Sequence, residues 1–464
     1  MEYISTRGNV GKIGFIDAFM MGLGDDGGLL VPNEIPVVSA ATLKQWQEFS
    51  YQELVLAIFS LYTNGEIPEQ DLKDLVYASY STFRDPEVTP VRKLKDDLFL
   101  LELFHGPTFA FKDIALQFMG QLYTYVATKQ NKKIHILGAT SGDTGASAIE
   151  GVKGKDGIKI CILHPHGKVS KVQELQMTTV QDDNVLNLSV DGNFDDCQRM
   201  IKDLFADLDF KATNHLAAIN SINFVRIMAQ TVYYFYAYLQ ITKQTGAKQV
   251  NFSVPTGNFG DIFAGYLAKR MGLPVGKLIL ATNENNILER FILEGVYKPG
   301  GFRSTYSPSM DIQVASNFER YLYYVLDEDA AQIRKLMDQF KAEGQIVISG
   351  EALSRVQAEF GAHGVQGQEC LDTIKKYKAA GYLLDPHSAC GVAAADKYEN
   401  GQEITVSLAT AHPAKFNEAI ELCGIEQQFP EQISALFEKP QRQTRVDGSL
   451  EAVVRELVAF YNTK

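Results

Sequence analysis

A short apolar run, a loop rich in glycine, hydroxyl and amide residues, and an amphipathic helix follow one another repeatedly along this chain. The apolar runs occupy residues 98–103, 134–137, 158–163, 250–254, 278–282 and 404–408. Strands that alternate with helices predict parallel sheets with helices on both faces and with ligands at the carboxyl ends of the strands. The sequence therefore predicts a doubly wound α/β fold.

The N-terminal region departs from this pattern. It has a loop-rich opening with glycines between residues 22 and 28, followed by helical periodicity over residues 46–61 and 72–80. We therefore expect residues 1–90 to form a mainly helical N-terminal region.

Composition limits the function classes. The 464 residues, 45% hydrophobic and 22% charged, are typical of a globular protein with two or three domains. The net charge of −12 argues against a nucleic acid or an anionic membrane as partner. No stretch approaches the roughly 20 apolar residues of a membrane span. Five scattered cysteines and the lack of a signal peptide predict a reduced, cytoplasmic protein, and the histidine spacing predicts no metal.

Lys112 lies in the segment His105-Gly-Pro-Thr-Phe-Ala-Phe-Lys-Asp113, between a predicted strand and a predicted helix. The dipole and the free N–H groups of a helix N-terminus disfavour a cation there. With Phe109 and Phe111 desolvating the amine, we expect a lowered pKa and a neutral, nucleophilic lysine. Such a lysine can form a Schiff base with a carbonyl cofactor. A surface lysine in a loop is the alternative, and this segment alone leaves both open.

Two loops that follow predicted strands are candidate anion-binding sites. They are Thr140-Ser-Gly-Asp-Thr-Gly145 and Pro255-Thr-Gly-Asn-Phe-Gly-Asp261. Glycines let the backbone approach a ligand, and hydroxyl and N–H groups at a helix start can bind an anion. Neither loop has the pattern of a P-loop or of a dinucleotide fold. Each loop alone also fits a simple turn, but together with Lys112 they fit a site for two anionic groups.

Two more residues are candidates for supporting roles. Arg226, at the end of Asn220-Ser-Ile-Asn-Phe-Val-Arg226, can clamp a phosphate or carboxylate, or it can be a salt-bridged helix arginine. Thr410 follows a predicted strand at the ligand side of the sheet, where its hydroxyl can face a cofactor or cap a helix. The sequence leaves these alternatives open.

Together these segments resemble the threonine synthase family of fold-type II pyridoxal phosphate enzymes, in its longer bacterial and fungal branch. The matching segments are residues 3–8, 27–32, 111–113, 140–145, 220–226, 255–261, 384–388 and the segment around Thr410. The resemblance implies a fold similar to the tryptophan synthase β subunit, with two doubly wound α/β domains. It implies a large domain at residues 91–130 and 220–464 and a smaller inserted domain at residues 131–219.

The resemblance also implies residue roles. Lys112 would be the Schiff-base lysine for pyridoxal 5′-phosphate and the proton shuttle. The other cofactor-binding residues would be Gly257, Asn258, Phe259, Asp261 and Thr410. The substrate-binding residues would be Thr140, Ser141, Asp143, Thr144, Ser221 and Arg226. Many relatives have Asn at the position of Asp143, so an acid there must be protonated or turn elsewhere.

The implied reaction converts O-phospho-L-homoserine and water to L-threonine and phosphate by elimination and β-addition, in a monomer or homodimer. It is the last step of threonine biosynthesis. One alternative is a phospholyase or a dehydratase of the same fold that releases 2-oxobutyrate; residues 220–226 favour a phosphorylated substrate and argue against the dehydratase. Another is a non-catalytic phosphometabolite-binding protein, which should lack the lysine that this chain retains.

Overall fold

Helices and strands alternate along most of the chain in the computed structural model, which describes residues 1–398 and 403–463. The strands are β1 (Tyr3–Ser5), β2 (Leu30–Pro32), β3 (Val91–Lys95), β4 (Leu98–Glu102), β5 (Ile134–Ala139), β6 (Ile158–Pro165), β7 (Val185–Val190), β8 (Leu216–Ala218), β9 (Val250–Pro255), β10 (Val275–Thr282), β11 (Val296–Tyr297), β12 (Ile346–Val347), β13 (Phe360–Gly364), β14 (Ile404–Ala409) and β15 (Thr444–Val446). All six strands predicted from apolar runs are confirmed.

The helices account for most of the remaining ordered backbone. They are α1 (Phe15–Met21), α2 (Ala40–Trp46), α3 (Tyr51–Thr63), α4 (Glu69–Tyr80), α5 (Lys112–Gln130), α6 (Asp143–Val152), α7 (Lys171–Thr178), α8 (Phe194–Ala206), α9 (Leu208–Thr213), α10 (Phe224–Thr245), α11 (Gly260–Arg270), α12 (Ile287–Glu294), α13 (Phe318–Val325), α14 (Ala330–Glu343), α15 (Gly350–Glu359), α16 (Gly367–Ala379), α17 (Pro386–Lys397), α18 (Asn417–Leu422), α19 (Glu431–Ser434) and α20 (Leu450–Tyr461). Short 3-10 turns lie at Pro308–Met310, Pro413–Phe416 and Ala435–Glu438. Within the described ranges, no helix combines the length and apolar character that crossing a membrane requires.

The larger of two units comprises Met1–Tyr77, Phe83–His105 and Ser221–Glu426. Its main sheet has six strands in the order β13-β10-β9-β14-β4-β3. Neighbouring strands are parallel except at the edge, where β3 runs antiparallel to β4. Strands β4 and β9 are buried along their whole length, which explains their continuous apolar sequences. Since β9 and β14 are parallel neighbours, the loop at residues 255–261 and Thr410 start from the same edge of the sheet.

The smaller unit comprises Ala78–Thr82, Gly106–Asn220 and Gln427–Lys464. Its sheet has five parallel strands in the order β15-β7-β6-β5-β8. This division differs from the predicted boundaries, because α5 and the C-terminal segment group with residues 131–219. Strand β15 pairs with β7, and Val453 and Leu457 of α20 are buried in the same core as Cys197. Such long-range pairing leaves no periodic signal in the sequence.

Helices α1 to α3 and most of α4 group with the larger unit. Strand β2 is held there by Arg320, whose Nε and Nη2 donate to the carbonyl oxygen of Leu30 at 3.0 and 2.9 Å. The predicted helical stretch at residues 46–61 is divided, since α2 ends at Trp46 and α3 begins at Tyr51. Ser50 and Glu53 form a capping box that starts the second helix.

Candidate active site

Lys112 is the first residue of α5, so it lies at a helix N-terminus as predicted. Its Nζ lies 3.1 Å from Oδ2 of Asp143, the first residue of α6. The Lys112 side chain is 12% exposed and that of Asp143 4%. The ammonium group also lies 5.2 Å from the centre of the Phe111 ring. Lys112 is therefore part of a mostly buried ion pair, and the surface-lysine alternative does not describe it.

This pairing differs from the expected electrostatics of Lys112. A carboxylate at 3.1 Å stabilises the charged ammonium form, which opposes the effects of the helix dipole and of the aromatic surroundings. Asp143 also has a favourable position for a negative charge, because it begins its own helix. The acid at this position is thus turned toward the lysine.

Close packing of α5 against α6 brings these two residues together. A Cβ atom added to Gly120 would lie 2.2 Å from the carbonyl oxygen of Gly151, and one added to Gly151 would lie 2.7 Å from that of Leu116. Only glycine at both positions lets the helix backbones approach so closely. Each glycine lies eight residues beyond the first residue of its helix, so the two helix starts lie side by side.

Asp113 holds the loop that precedes Lys112. Its side chain is fully buried and accepts hydrogen bonds from the amide nitrogen and hydroxyl of Thr108, at 2.8 and 2.6 Å. The hydroxyl of Ser147 on α6 donates to the same carboxylate at 2.6 Å. Asp113 therefore fixes both the loop and the neighbouring helix around the lysine, a role that the sequence did not indicate.

The loop at residues 140–145 is held by one of its own hydroxyls. Oγ1 of Thr140 accepts hydrogen bonds from the amides of Gly142 and Gly145, each at 2.9 Å. The hydroxyl of Thr140 thus shapes the loop. Ser141 is exposed and Thr144 half-buried, so both side chains are accessible to a ligand.

Gln173 on α7 supports Asp143, a role that the sequence did not indicate. Its Nε2 donates to Oδ1 of Asp143 at 2.8 Å, and its Oε1 accepts from the hydroxyl of Ser170 at 2.9 Å. The spacing of Ser170 and Gln173 is that of a capping box, so the sequence contained a signal for this helix start. That signal does not reveal which residue the glutamine contacts.

In the larger unit, the loop at residues 255–261 has a backbone conformation that suits the binding of an anion. Phe259 adopts a left-handed conformation, with φ 66°, and α11 begins at Gly260. Oδ1 of Asn258 accepts from the amide of Gly260 at 2.9 Å. A Cβ atom added to Gly257 would lie 3.0 Å from the carbonyl oxygen of Ser309, so the loop has little room for a side chain there. The Phe259 ring is buried against Phe318. Only the backbone of Phe259 can therefore offer polar groups to a ligand.

Asp261 was predicted to bind the cofactor, but its carboxylate faces another helix. Oδ1 accepts hydrogen bonds from the hydroxyls of Tyr233 at 2.5 Å and Tyr234 at 2.9 Å, both on α10. Oδ2 is buried and has no hydrogen-bond partner within residues 1–398 and 403–463. Burial raises the pKa of Asp261 to about 7. The side chain thus contributes to the packing of α11 on α10.

Asn317 joins the two segments predicted to bind phosphate groups. Its Nδ2 donates to the carbonyl oxygens of Ser221 at 3.2 Å and Asn258 at 3.3 Å, and its backbone amide donates to Asn258 at 3.0 Å. The hydroxyl of Ser221 lies 3.0 Å from that of Ser316. No local sequence signal marked Asn317, because its partners lie about 60 and 100 residues earlier in the chain.

Arg226 lies in the first turn of α10, and its side chain is buried at 3% exposure. Its Nη1 has no hydrogen-bond partner in the described part of the chain. Burial lowers the pKa of Arg226 to about 10. A buried guanidinium nitrogen without a partner is costly unless an anion satisfies it. This observation supports the phosphate interpretation over a surface salt bridge.

Thr410 directly follows β14, as predicted, and is 5% exposed. Its amide donates to the hydroxyl of Ser388 at 3.2 Å. Across residues 1–398 and 403–463, no group of three or more His, Cys, Asp or Glu side chains is arranged to hold a metal ion.

Comparison with known proteins identifies the family. The model for the threonine synthase N terminus matches residues 2–80, that for pyridoxal-phosphate-dependent enzymes residues 84–410, and that for the threonine synthase C-terminal region residues 388–458. A curated threonine synthase of Pseudomonas aeruginosa is 45% identical over 98% of this chain and 97% of its own. The chain belongs to the threonine synthase family.

Solved structures of the threonine synthase family have the same fold. A crystal structure of pyridoxal-phosphate-bound threonine synthase from Brucella melitensis matches with a TM-score of 0.96 and 45% identity, covering 100% of both chains. The threonine synthase structure from yeast matches with a TM-score of 0.93 and 41% identity, covering 99% of each. The predicted family, the fold-type II α/β class, the lyase class and the pyridoxal phosphate dependence are confirmed.

The residues present fit the cofactor of the threonine synthase family. The start of α11, next to a glycine with little room for a side chain, offers backbone N–H groups to a phosphate. In the smaller unit, Lys112 would offer an amine to the cofactor carbonyl. In the larger unit, Thr410 would offer a neutral hydroxyl at the end of β14.

Proposed function

We propose that this chain is a threonine synthase that converts O-phospho-L-homoserine and water to L-threonine and phosphate. The observation that carries the proposal is the mostly buried Lys112 at the start of α5, in a chain that matches the family over nearly its full length. Pyridoxal phosphate, when bound, supplies the electron sink for removal of the proton from the substrate Cα. The chain's own residues must hold this cofactor, move protons and bind the substrate phosphate.

Lys112 is assigned two tasks. Its Nζ would hold the cofactor through the carbonyl, and as a free amine it would move the proton between substrate carbons. The second task requires Nζ to hold a proton between transfers. Asp143, at 3.1 Å, stabilises that protonated form, and Gln173 keeps the carboxylate oriented. This is the role that we assign to the acid at residue 143.

The cofactor phosphate is assigned to the backbone of Gly257, Asn258 and Phe259 and to the first turn of α11. Asp261 belongs to that turn, but its carboxylate is engaged with two tyrosines, so we assign it a supporting role. The hydroxyl of Thr410 is assigned to the pyridine nitrogen. A neutral partner there would leave the nitrogen largely unprotonated.

The substrate phosphate is assigned to Ser221 and Arg226. The unpartnered Nη1 of Arg226 supports this assignment, since a phosphate oxygen would satisfy it and the charge would stabilise the departing dianion. Ser141 and Thr144 are assigned to the rest of the substrate, because both side chains are accessible. Thr140 acts through the shape of its loop.

A product assay tests the proposal against its nearest alternative. Purified protein with pyridoxal phosphate is incubated with O-phospho-L-homoserine, and threonine, 2-oxobutyrate and phosphate are measured. We expect threonine and phosphate in equal amounts from the wild type and neither product from Lys112→Ala. The matched control is Lys129→Ala, which removes an exposed lysine from the last turn of the same helix. Phosphate accompanied by 2-oxobutyrate instead of threonine would identify a phospholyase.

Location and assembly remain predictions. A cytoplasmic location is supported by five cysteines that are all free thiols. The predicted assembly is a monomer or a homodimer, and the predicted partner is the small-molecule substrate, without nucleic acid or membrane.

A further inference from the structure

Asp385 is a buried carboxylate with no role in the chemistry described above. It is the N-cap of α17, in the segment Leu384-Asp-Pro-His-Ser388, and its side chain is 0% exposed. Oδ2 accepts from the amide nitrogen of His387 at 2.9 Å and from its Nδ1 at 2.7 Å. Oδ1 accepts from the amide nitrogen of Ser388 at 3.0 Å and from its hydroxyl. Four donors thus use the lone-pair directions of the carboxylate.

His387 is fixed in one tautomer by its two partners. The backbone amide of Ser309 donates to Nε2 at 3.1 Å. Because an amide N–H can only donate, Nε2 carries no hydrogen, and the ring hydrogen lies on Nδ1, toward Asp385. The ring is 4% exposed and packs 4.5 Å from that of Phe416. His387 therefore connects Asp385 to the turn at Pro308–Met310.

Ser388 and His387, which both donate hydrogen bonds to Asp385, each contact a second residue near the candidate cofactor site of the larger unit. Ser388 Oγ, which donates to Asp385, also accepts from the amide of Thr410 at 3.2 Å. His387 holds the amide of Ser309, whose carbonyl oxygen lies directly behind Gly257. One carboxylate is thus connected to the backbone at Thr410 and to the turn behind the loop at residues 255–261.

The direct ladder between β9 and β14 does not reach these two places. It ends at the pair Ser253 and Ser407, and beyond it each strand is paired only with its other neighbour, Ala409 with Glu102 on β4 and Pro255 with Ala281 on β10. A direct connection between the two places therefore needs hydrogen bonds from outside this ladder. Asp385 lies at the start of α17, which packs on both strands, so it is placed to supply such bonds.

We propose that Asp385 is a positioning residue for the cofactor, acting through Ser388 on Thr410 and through His387 on the turn behind Gly257. The inference rests on the proposed function only in taking these two places as cofactor contacts. The Ser388 branch, from Asp385 through Ser388, fixes the position of Thr410, the residue assigned to the pyridine ring. The His387 branch, from Asp385 through His387, fixes the turn that supports the loop assigned to the phosphate. The two branches therefore have separable effects.

Cofactor binding by the apoenzyme, measured without substrate, tests the proposal. Ser388→Ala removes the hydroxyl that connects Asp385 to the amide of Thr410, and Ser388→Thr keeps this hydroxyl. His387→Asn keeps a donor for Asp385 but removes the acceptor for Ser309. The matched control is Ser253→Ala, which removes another buried hydroxyl that donates to α17, to the carbonyl oxygen of Gly391 at 2.6 Å. The dissociation constant of pyridoxal phosphate, its absorption maximum and phosphorus resonance when bound, and the melting temperature of the apoenzyme are recorded.

We expect Ser388→Ala to weaken cofactor binding by about tenfold or more, by analogy with the loss of a supporting hydrogen bond at a metal site. It should shift the absorption maximum, and Ser388→Thr should restore both. His387→Asn should shift the phosphorus resonance more than the absorption maximum. The melting temperature of Ser388→Ala apoenzyme should fall no further than that of Ser253→Ala.

Unchanged affinity and spectrum in Ser388→Ala would overturn the proposal. So would an equal loss of cofactor in Ser253→Ala, since that result would indicate a general effect of core damage. If Ser388→Ala does not fold, His387→Asn decides alone, and an unshifted phosphorus resonance at full affinity would overturn the inference. Because no substrate is present, a phospholyase outcome in the product assay would leave this inference standing.

Discussion

Lys112 and Asp143 begin two helices that run side by side, and their charged groups meet at 3.1 Å. The contact depends on Gly120 and Gly151, which let the helix backbones touch eight residues further along. Many relatives that this chain resembles have an asparagine at the position of Asp143, where this chain has an acid. The acid gives the lysine a partner that can hold it in its protonated form.

Asp143→Asn should therefore change the pH dependence of the reaction. Without the carboxylate, the protonated amine of Lys112 becomes less stable relative to the neutral amine. The limb of the kcat–pH profile that reports Nζ should move to lower pH by about one unit or more. Activity should persist, because the asparagine side chain has the shape of aspartate and its oxygen can still accept the hydrogen bond from Gln173. A kcat profile from pH 6 to 10 that matches the wild type would contradict this role for Asp143.

Gly120→Ala should separate the two helices. The added methyl would lie 2.2 Å from the Gly151 carbonyl oxygen, so a backbone has to move. Overpacking of this kind costs about 1–3 kcal/mol of stability. It should also lower kcat, because the helix starts that hold Lys112 and Asp143 shift apart. The control is Gly11→Ala, where a methyl meets nothing within 4 Å. Equal melting temperatures and rates for the two variants would argue against close packing as the cause.

The strands and the start of α5 could be predicted because their signals are local. Parallel strands buried on both faces are continuous apolar runs, and β9, predicted at residues 250–254, spans Val250–Pro255. Nine of the fifteen strands in the described part of the chain were not predicted, and β13 and β15 illustrate why. The first has the sequence Phe-Gly-Ala-His-Gly, which is poor in β-branched residues, and the second is three residues long and pairs with a strand over 250 residues earlier.

The supporting residues of the site could not be predicted, because their roles depend on tertiary contacts. Asp143 is 31 residues from Lys112, and Asn317 is 96 residues from Ser221. Asp385 lay in a segment that matched the family, but its sequence did not indicate that it connects two distant loops. By contrast, Asp261 lay in a recognisable loop, yet its carboxylate turned to tyrosines on another helix.

Asp261→Asn should flatten the pH dependence of stability. Burial raises the pKa of Asp261 to about 7, so the folded chain binds more protons than the unfolded chain between the ordinary value of 3.8 and 7. Wild-type stability should thus fall as pH rises through this window, by at most about 4 kcal/mol. The neutral amide escapes this loss. The melting temperature of the variant apoenzyme, relative to wild type, should rise from pH 5 to pH 8; a constant difference would contradict the expectation.

Thr410→Asp should change the cofactor's electronic state. A carboxylate opposite the pyridine nitrogen would favour its protonation, which makes the ring a stronger electron sink. We expect a shifted absorption maximum and a larger share of side products relative to threonine. Thr410→Ser, which keeps the hydroxyl, should resemble the wild type in both respects. If the aspartate variant has the wild-type spectrum and product ratio, the proposed position of Thr410 is wrong.

Asn317→Ala should weaken cofactor and substrate binding together. Its side-chain amide donates to the carbonyl oxygens of both Asn258 and Ser221, one in each predicted phosphate-binding segment. Loss of both contacts should raise the cofactor dissociation constant and the KM for O-phospho-L-homoserine, each by about tenfold. The comparison is Ser316→Ala, which removes the contact to the hydroxyl of Ser221 and a long contact of 3.5 Å to Asn317 Nδ2, but leaves both carbonyl contacts of Asn317 in place, and it should raise KM alone. If Asn317→Ala changes one constant and leaves the other at its wild-type value, then Asn317 does not couple the two segments.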